Sequence, residues 1–107
     1  MGITKSEVFT VEQNRIAELA KALAHPARIA ILQILAKKKS CICNDIVEEL
    51  PLAQATVSQH LKELKAIGLI KGEITPPKVC YCLNEAAIVE LRLLLGGVFD
   101  MLGKSCC

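Results

Sequence analysis

The sequence predicts a mostly helical single domain with one small β-hairpin, in the order α-α-α-α-β-β-α. Three observations predict it. Apolar residues recur at helical spacing between positions 10 and 67 and again from 85 onward. Between 69 and 83 the pattern becomes that of two strands around Pro76-Pro77. And 107 residues, 52% of them hydrophobic and 22% charged, suffice for one hydrophobic core and not for two, so residues 1–107 are expected to form one domain.

Thr10 and Gln13 form a capping-box pattern at the start of a first helix, which carries Ile16, Leu19, Ala20 and Leu23 as its apolar stripe. His25-Pro26 interrupts it, and Pro26 suits the first turn of a second helix, where its missing N–H is not needed. Ile29, Leu32 and Ala36, with Ile31 and Leu35, predict a broad buried face. Lys37, Lys38 and Lys39 sit at the negative end of that helix's dipole. Asn44 is placed to cap a short third helix over 45–50, with Ile46, Val47 and Leu50 inward. After the break at Pro51-Leu52, a fourth helix over 54–67 buries Val57, Leu61 and Leu64, and Gly68 ends it. Strands over 69–75 and 78–83 follow.

Asn84 is expected to cap the last helix. Ile88, Leu91, Leu95, Val98 and Leu102 make one stripe there, but Val89, Leu93, Leu94, Phe99 and Met101 lie outside it. A helix apolar nearly all round needs a second helix to bury against, and in so small a chain a partner subunit is the expected source. The dimer helices are then about 10–24 and 85–103.

Composition excludes some classes. No apolar run approaches the ~20 residues that cross a bilayer, and residues 1–10 carry Lys5 and Glu7 without an apolar signal stretch, so a cytoplasmic chain with no membrane partner is expected. A glycine-rich phosphate loop, paired carboxylates and a nucleophile–base set are all missing from the pattern, so an enzyme is not expected. The net charge of +2 does not discriminate between functions.

Two short helices separated by Pro51-Leu52 and followed by a hairpin are the parts of a winged helix-turn-helix. In that arrangement the second helix enters the major groove of double-stranded DNA, N-terminal residues first. With the buried stripe set aside, Gln54, Ala55, Thr56, Ser58, Gln59 and Lys62 remain for the bases and phosphates. Glutamine pairs with adenine edges, hydroxyls reach bases or phosphates, and Ala55 meets a thymine methyl. Lys65, Lys71 and Lys78 are candidates for the phosphate backbone. His60 borders the buried stripe and is either a further DNA contact or a packed histidine. The competing reading of the same fold is a module that binds protein instead of DNA.

Residues 23–32 (LAHPARIAIL), residues 55–64 (ATVSQHLKEL) and Gly68-Leu69-Ile70 resemble the ArsR/SmtB family of metal-responsive repressors, with Tyr81 and Leu83 where its second wing strand has them. The resemblance covers about 16–83. It implies a homodimer through the first and last helices, operator binding without ligand and with no cofactor required, and release on metal binding. Ala53 stands where the family has a serine or threonine cap, and Pro76-Pro77 replaces the family's glycine and arginine at the wing tip.

Six cysteines fall in three close pairs, Cys41 with Cys43, Cys80 with Cys82, and Cys106 with Cys107. In a reducing compartment a disulfide framework is not expected, and thiols so clustered suit a shared ligand or redox chemistry. Ser40-Cys41-Ile42-Cys43-Asn44-Asp45 resembles the Cys-x-Cys of family members that sense arsenite, antimonite, cadmium or lead. Cys43 at the start of a helix would have a lowered thiol pKa, and thiolates select soft ions. Trivalent arsenic takes three sulfurs. Ile46 occupies the region where the arsenite pattern has its next cysteine, so Cys106 and Cys107 are the expected completion. Cys80 and Cys82, pointing to one face of a strand, are the rival pair, with wing packing as their plainer role. The last helix has no histidine, which counts against zinc. A thiol redox or persulfide switch is the alternative inducer chemistry.

Overall fold

The computed structural model describes residues 8–38, 50–73 and 79–104 and, for residues 42–43, the backbone. Helix α1 (Val11–Ala22) begins with the expected capping box. The Gln13 N–H donates to Thr10 Oγ1 and the Thr10 N–H to Gln13 Oε1, both at 3.0 Å. Leu19 and Ala22 are buried, Ile16 and Leu23 half-buried, and Ala20, expected inward, is exposed. Helix α2 (Pro26–Lys38) starts from His25, whose Nδ1 accepts the Ala27 N–H at 3.0 Å. It buries Ala27, Ile31 and Leu35. Leu32, also expected inward, is half-buried and packs against the core, whereas Ile29 and Ala36 are exposed.

The short helix expected over 45–50 lies outside the described residues except for Leu50, which is half-buried at the break before α3. Helix α3 (Gln54–Ile67) has the bounds the periodicity predicts and buries Val57, Leu61 and Leu64, together with His60. At Gly68 the backbone turns left-handed, φ 96°, and its N–H reaches the Leu64 and Lys65 carbonyls at 3.1 and 3.0 Å.

Strands β2 (Ile70–Glu73) and β3 (Cys80–Leu83) form the antiparallel hairpin, with Ile70 opposite Leu83 and Glu73 opposite Cys80. Lys78 and the Pro76-Pro77 tip lie outside the described residues. The sheet has a third strand that the periodicity did not suggest. The two-residue β1 (Ile42–Cys43) pairs with β3, giving the order β1-β3-β2, with Ile42 opposite Tyr81 and Cys43 opposite Cys80. Two residues are too few to show alternation, so only the partner strand reveals them.

Helix α4 (Glu85–Gly103) follows. Asn84 occupies the cap position but makes no side-chain cap bond. Its amide donates instead to the Gly68 carbonyl at 3.0 Å, and its N–H to the Leu69 carbonyl at 2.9 Å, tying the α3 terminus to the end of the wing. Ala87 and Leu91 enter the core, whereas Leu93, Phe99, Met101 and Leu102 are exposed. Arg15 of α1 grips Glu90 of α4 through two hydrogen bonds, at 3.1 and 2.8 Å. The shared core is centred on Leu19, Ile31, Val57, Leu64, Leu69 and Tyr81. Full burial of each aliphatic side chain contributes about 1.5–3 kcal/mol.

Gly72 has φ 121°, and a Cβ there would run into the Cys80 carbonyl oxygen across the ladder. Gly72→Ala is expected to lower the unfolding free energy by at least about 2 kcal/mol in urea titration, through strain and a backbone clash.

Candidate nucleic-acid interface

The sequence of α3 divides it lengthwise. Val57, Leu61 and Leu64 face the core, which leaves Gln54, Ala55, Thr56, Gln59 and Lys62 exposed and Ser58 half-buried. This places six of the eight proposed DNA-contacting residues on the accessible side of one helix, with Lys65 and Lys71 also exposed. Lys78 lies outside the described residues. Ala53 at the N-cap offers no side-chain oxygen, so the first turn of α3 leaves its amide donors facing outward for another acceptor.

His60 departs from that set. It is 9% exposed and turned inward, with Nδ1 accepting from Arg28 Nε at 3.2 Å and its ring 4.3 Å from that of His25. Its place among the DNA contacts is therefore corrected: it is a packed, hydrogen-bonded histidine between α2 and α3. An acceptor at Nδ1 requires the neutral ring, and its pKa is held below the usual 6.5, first by burial and then by the charges of His25 and Arg28.

Arg28 is the residue that sequence reasoning passed over. Its guanidinium binds His60, forms an ion pair with Glu63, and approaches the Lys21 and Ala22 carbonyls at the α1 terminus at 3.4 and 3.5 Å. Three helices thus meet on one side chain that is 14% exposed. The signal was present: a lone arginine stands one turn before Leu32 on the apolar side of α2. Glu63 is kept ionised, its pKa lowered first by the Gln59 amide at 3.3 Å and then by Arg28. Arg28 also offsets a carboxylate that would otherwise repel phosphate on the exposed side of α3.

Residues 25–71 match the family model described as the bacterial regulatory protein, arsR family. The transcriptional repressor PagR of Bacillus anthracis is 32% identical over 94 residues, 88% of this chain and 92% of that one. This chain belongs to the ArsR/SmtB family. The repressor SmtB of Mycobacterium tuberculosis is 41% identical over 76 residues, 71% of this chain, which spans only 56% of that relative's length. Among solved structures, an ArsR-like regulator from Rhodococcus sp. RHA1 superposes with a TM-score of 0.70 at 20% identity, over 90% of this chain and 88% of that one. NolR from Sinorhizobium fredii does so at 0.63 and 22%, over 98% and 99%. These similarities show the winged fold. ArsR/SmtB proteins are transcriptional regulators, not enzymes, in line with the expectation from the sequence.

The cysteines of this ArsR/SmtB chain are arranged differently from the expectation. Cys43 belongs to β1, directly opposite Cys80 in the ladder. Cys80 is exposed, so it does not pack the wing, and it is disulfide-bonded, where no disulfide was expected. Cys82, two residues on, is half-buried, and Tyr81 between them is buried. Cys41, Cys106 and Cys107 lie outside the described residues.

The neutral His60 ties stability to pH. The folded state binds this proton more weakly than the unfolded chain, so the contribution is complete above about pH 6.5 and declines as pH falls below it. The melting temperature is expected to drop between pH 7 and pH 5, and to drop less in His60→Gln, which keeps an acceptor for Arg28 and cannot titrate.

Proposed function

We propose that the chain is a cytoplasmic, homodimeric repressor that binds operator DNA through α3 and leaves it when a thiophilic inducer binds, arsenite or antimonite being the best match. One observation carries the DNA-binding part. The exposed side of α3 offers Gln54, Thr56, Gln59 and Lys62 in a row, while the opposite side is locked to α1 and α2 through Leu61, Leu64 and Arg28. A helix held rigidly on one side and polar on the other is suited to insertion in a major groove. The names of the mycobacterial and Bacillus relatives, both repressors, support the same reading. Among the described residues no single helix is long and apolar enough to cross a membrane.

Homodimer formation rests on the exposed apolar residues of the two outer helices. Val11 is 87% exposed, Leu93 69% and Phe99 63%, on elements already joined by the Arg15–Glu90 pair. The inducer reading rests on thiol chemistry. Cys41 and Cys43 supply two sulfurs of the family's Cys-x-Cys, and a third, from Cys106 or Cys107, would complete a pyramidal arsenic site. No cofactor is required for DNA binding itself.

Fluorescence anisotropy with operator DNA tests the first part. Thr56→Ala or Gln59→Ala is expected to weaken specific binding by about 5- to 100-fold. Lys62→Ala should weaken all sequences alike and reduce the salt slope by about one. Binding that ignores salt would instead favour a protein-interaction module. Arsenite is expected to release the DNA, and Cys43→Ala to abolish that release.

The subunit arrangement has its own measurement. Leu93→Asp with Phe99→Asp is expected to sediment as a folded monomer where the parent chain sediments as a dimer.

A further inference from the structure

The two cysteine pairs that compete as ligands in the sequence are neighbours in the sheet. Cys43 and Cys80 are Cα partners across the antiparallel β1–β3 ladder. Directly opposed residues in such a ladder have Cα atoms about 4.5–5.5 Å apart and present to the same face of the sheet. That separation falls inside the roughly 4.4–6.8 Å range in which a disulfide closes without backbone movement. On β3 the face is defined by Tyr81, which is buried, so the Cys80 side is the outer one and Cys80 is exposed to solvent. Cys80 is also disulfide-bonded.

The geometry points to Cys43 and Cys80 as a cross-strand dithiol that is reversibly oxidised to a disulfide, a redox site in the β1–β3 ladder at the base of the wing. The oxidant is a peroxide. The Cys80 thiolate attacks one peroxide oxygen, the O–O bond breaks, and a sulfenic acid and one water result. The Cys43 sulfur then displaces the hydroxyl as a second water. Two thiols and one peroxide thereby give one disulfide and two waters. A dithiol reductant returns the two electrons and two protons by exchange.

The bridge would enclose all of α3 and β2 within one covalent loop, because both lie between the two cysteines. It would also remove Cys43 from any soft-ion ligand set, since a disulfide sulfur is no longer a thiolate. Peroxide and a thiophilic ion would therefore compete for the same sulfur. This last consequence rests on the inducer reading above, whereas the disulfide itself does not.

The experiment is a non-reducing peptide map of the full chain after treatment with hydrogen peroxide and alkylation of the remaining thiols, with fragmentation to locate the link. The expected result is a Cys43–Cys80 link within one chain, reversed by dithiothreitol, retained in Cys41→Ser and Cys82→Ser, and lost in Cys43→Ser and Cys80→Ser. Full alkylation of Cys80 would overturn the proposal, as would a link from Cys80 to Cys41, Cys106, Cys107 or a second subunit. Because the map of the unaltered chain locates the link alone, a variant that fails to fold does not protect the idea. Calorimetric titration with arsenite separates the consequence: uptake by the reduced chain should fall at least tenfold after peroxide. Equal uptake would overturn the competition, and no uptake by the reduced chain would sink the inducer reading while leaving the mapped disulfide in place.

Discussion

The Arg28 guanidinium, held between the end of α1 and the inner side of α3, is the interaction on which the geometry of the interface depends. The hydrophobic core positions α3 only approximately, since burial is non-directional and tolerates a helix sliding or rotating by small amounts. A planar cation with fixed donor directions does not tolerate this. By engaging His60 and Glu63, one turn apart on α3, it sets both the rotation and the height of the helix against α2. The exposed row from Gln54 to Lys62 is presented at a definite angle because its opposite side is fixed this way.

The same arrangement accounts for the histidines. His25 spends its acceptor on the Ala27 N–H at the start of α2, and His60 spends its own on Arg28. Both rings are needed as acceptors, which is why a residue with a nominal pKa near neutrality acts here as packing and not as a reader of bases. On the other side of the protomer the constraint is reversed. Leu94 and Leu95 of the last helix still pack against the core, but Leu93, Phe99, Met101 and Leu102 are exposed and make a surface that water covers poorly. The chain buries the inner side of α3 but leaves apolar residues of α1 and α4 exposed.

Much of this was legible beforehand. The bounds of α3, its buried triplet and its glycine stop came directly from spacing, because a helix with one face in the core must repeat its apolar residues every three to four positions. The Thr10–Gln13 box was legible because capping is local chemistry between residues three apart. Asn84 was misread for the complementary reason. Its cap position is local, but its amide is taken by a carbonyl sixteen residues earlier. The inner faces of α1 and α2 were drawn too broadly, since apolar composition marks what prefers burial and not how much covering surface the protomer has.

By itself, then, the sequence determined the succession of helices and the hairpin, the family resemblance, and which side of α3 is polar, since each depends on periodicity or on residues close along the chain. Tertiary structure alone decided the hub at Arg28, the inward turn of His60, and the meeting of Cys43 with Cys80 across an unforeseen strand. The contacts of Arg28 with His60 and Glu63, and of Cys43 with Cys80, join residues more than thirty positions apart. Their distance is set by how the elements pack, a quantity that no local pattern of side chains encodes.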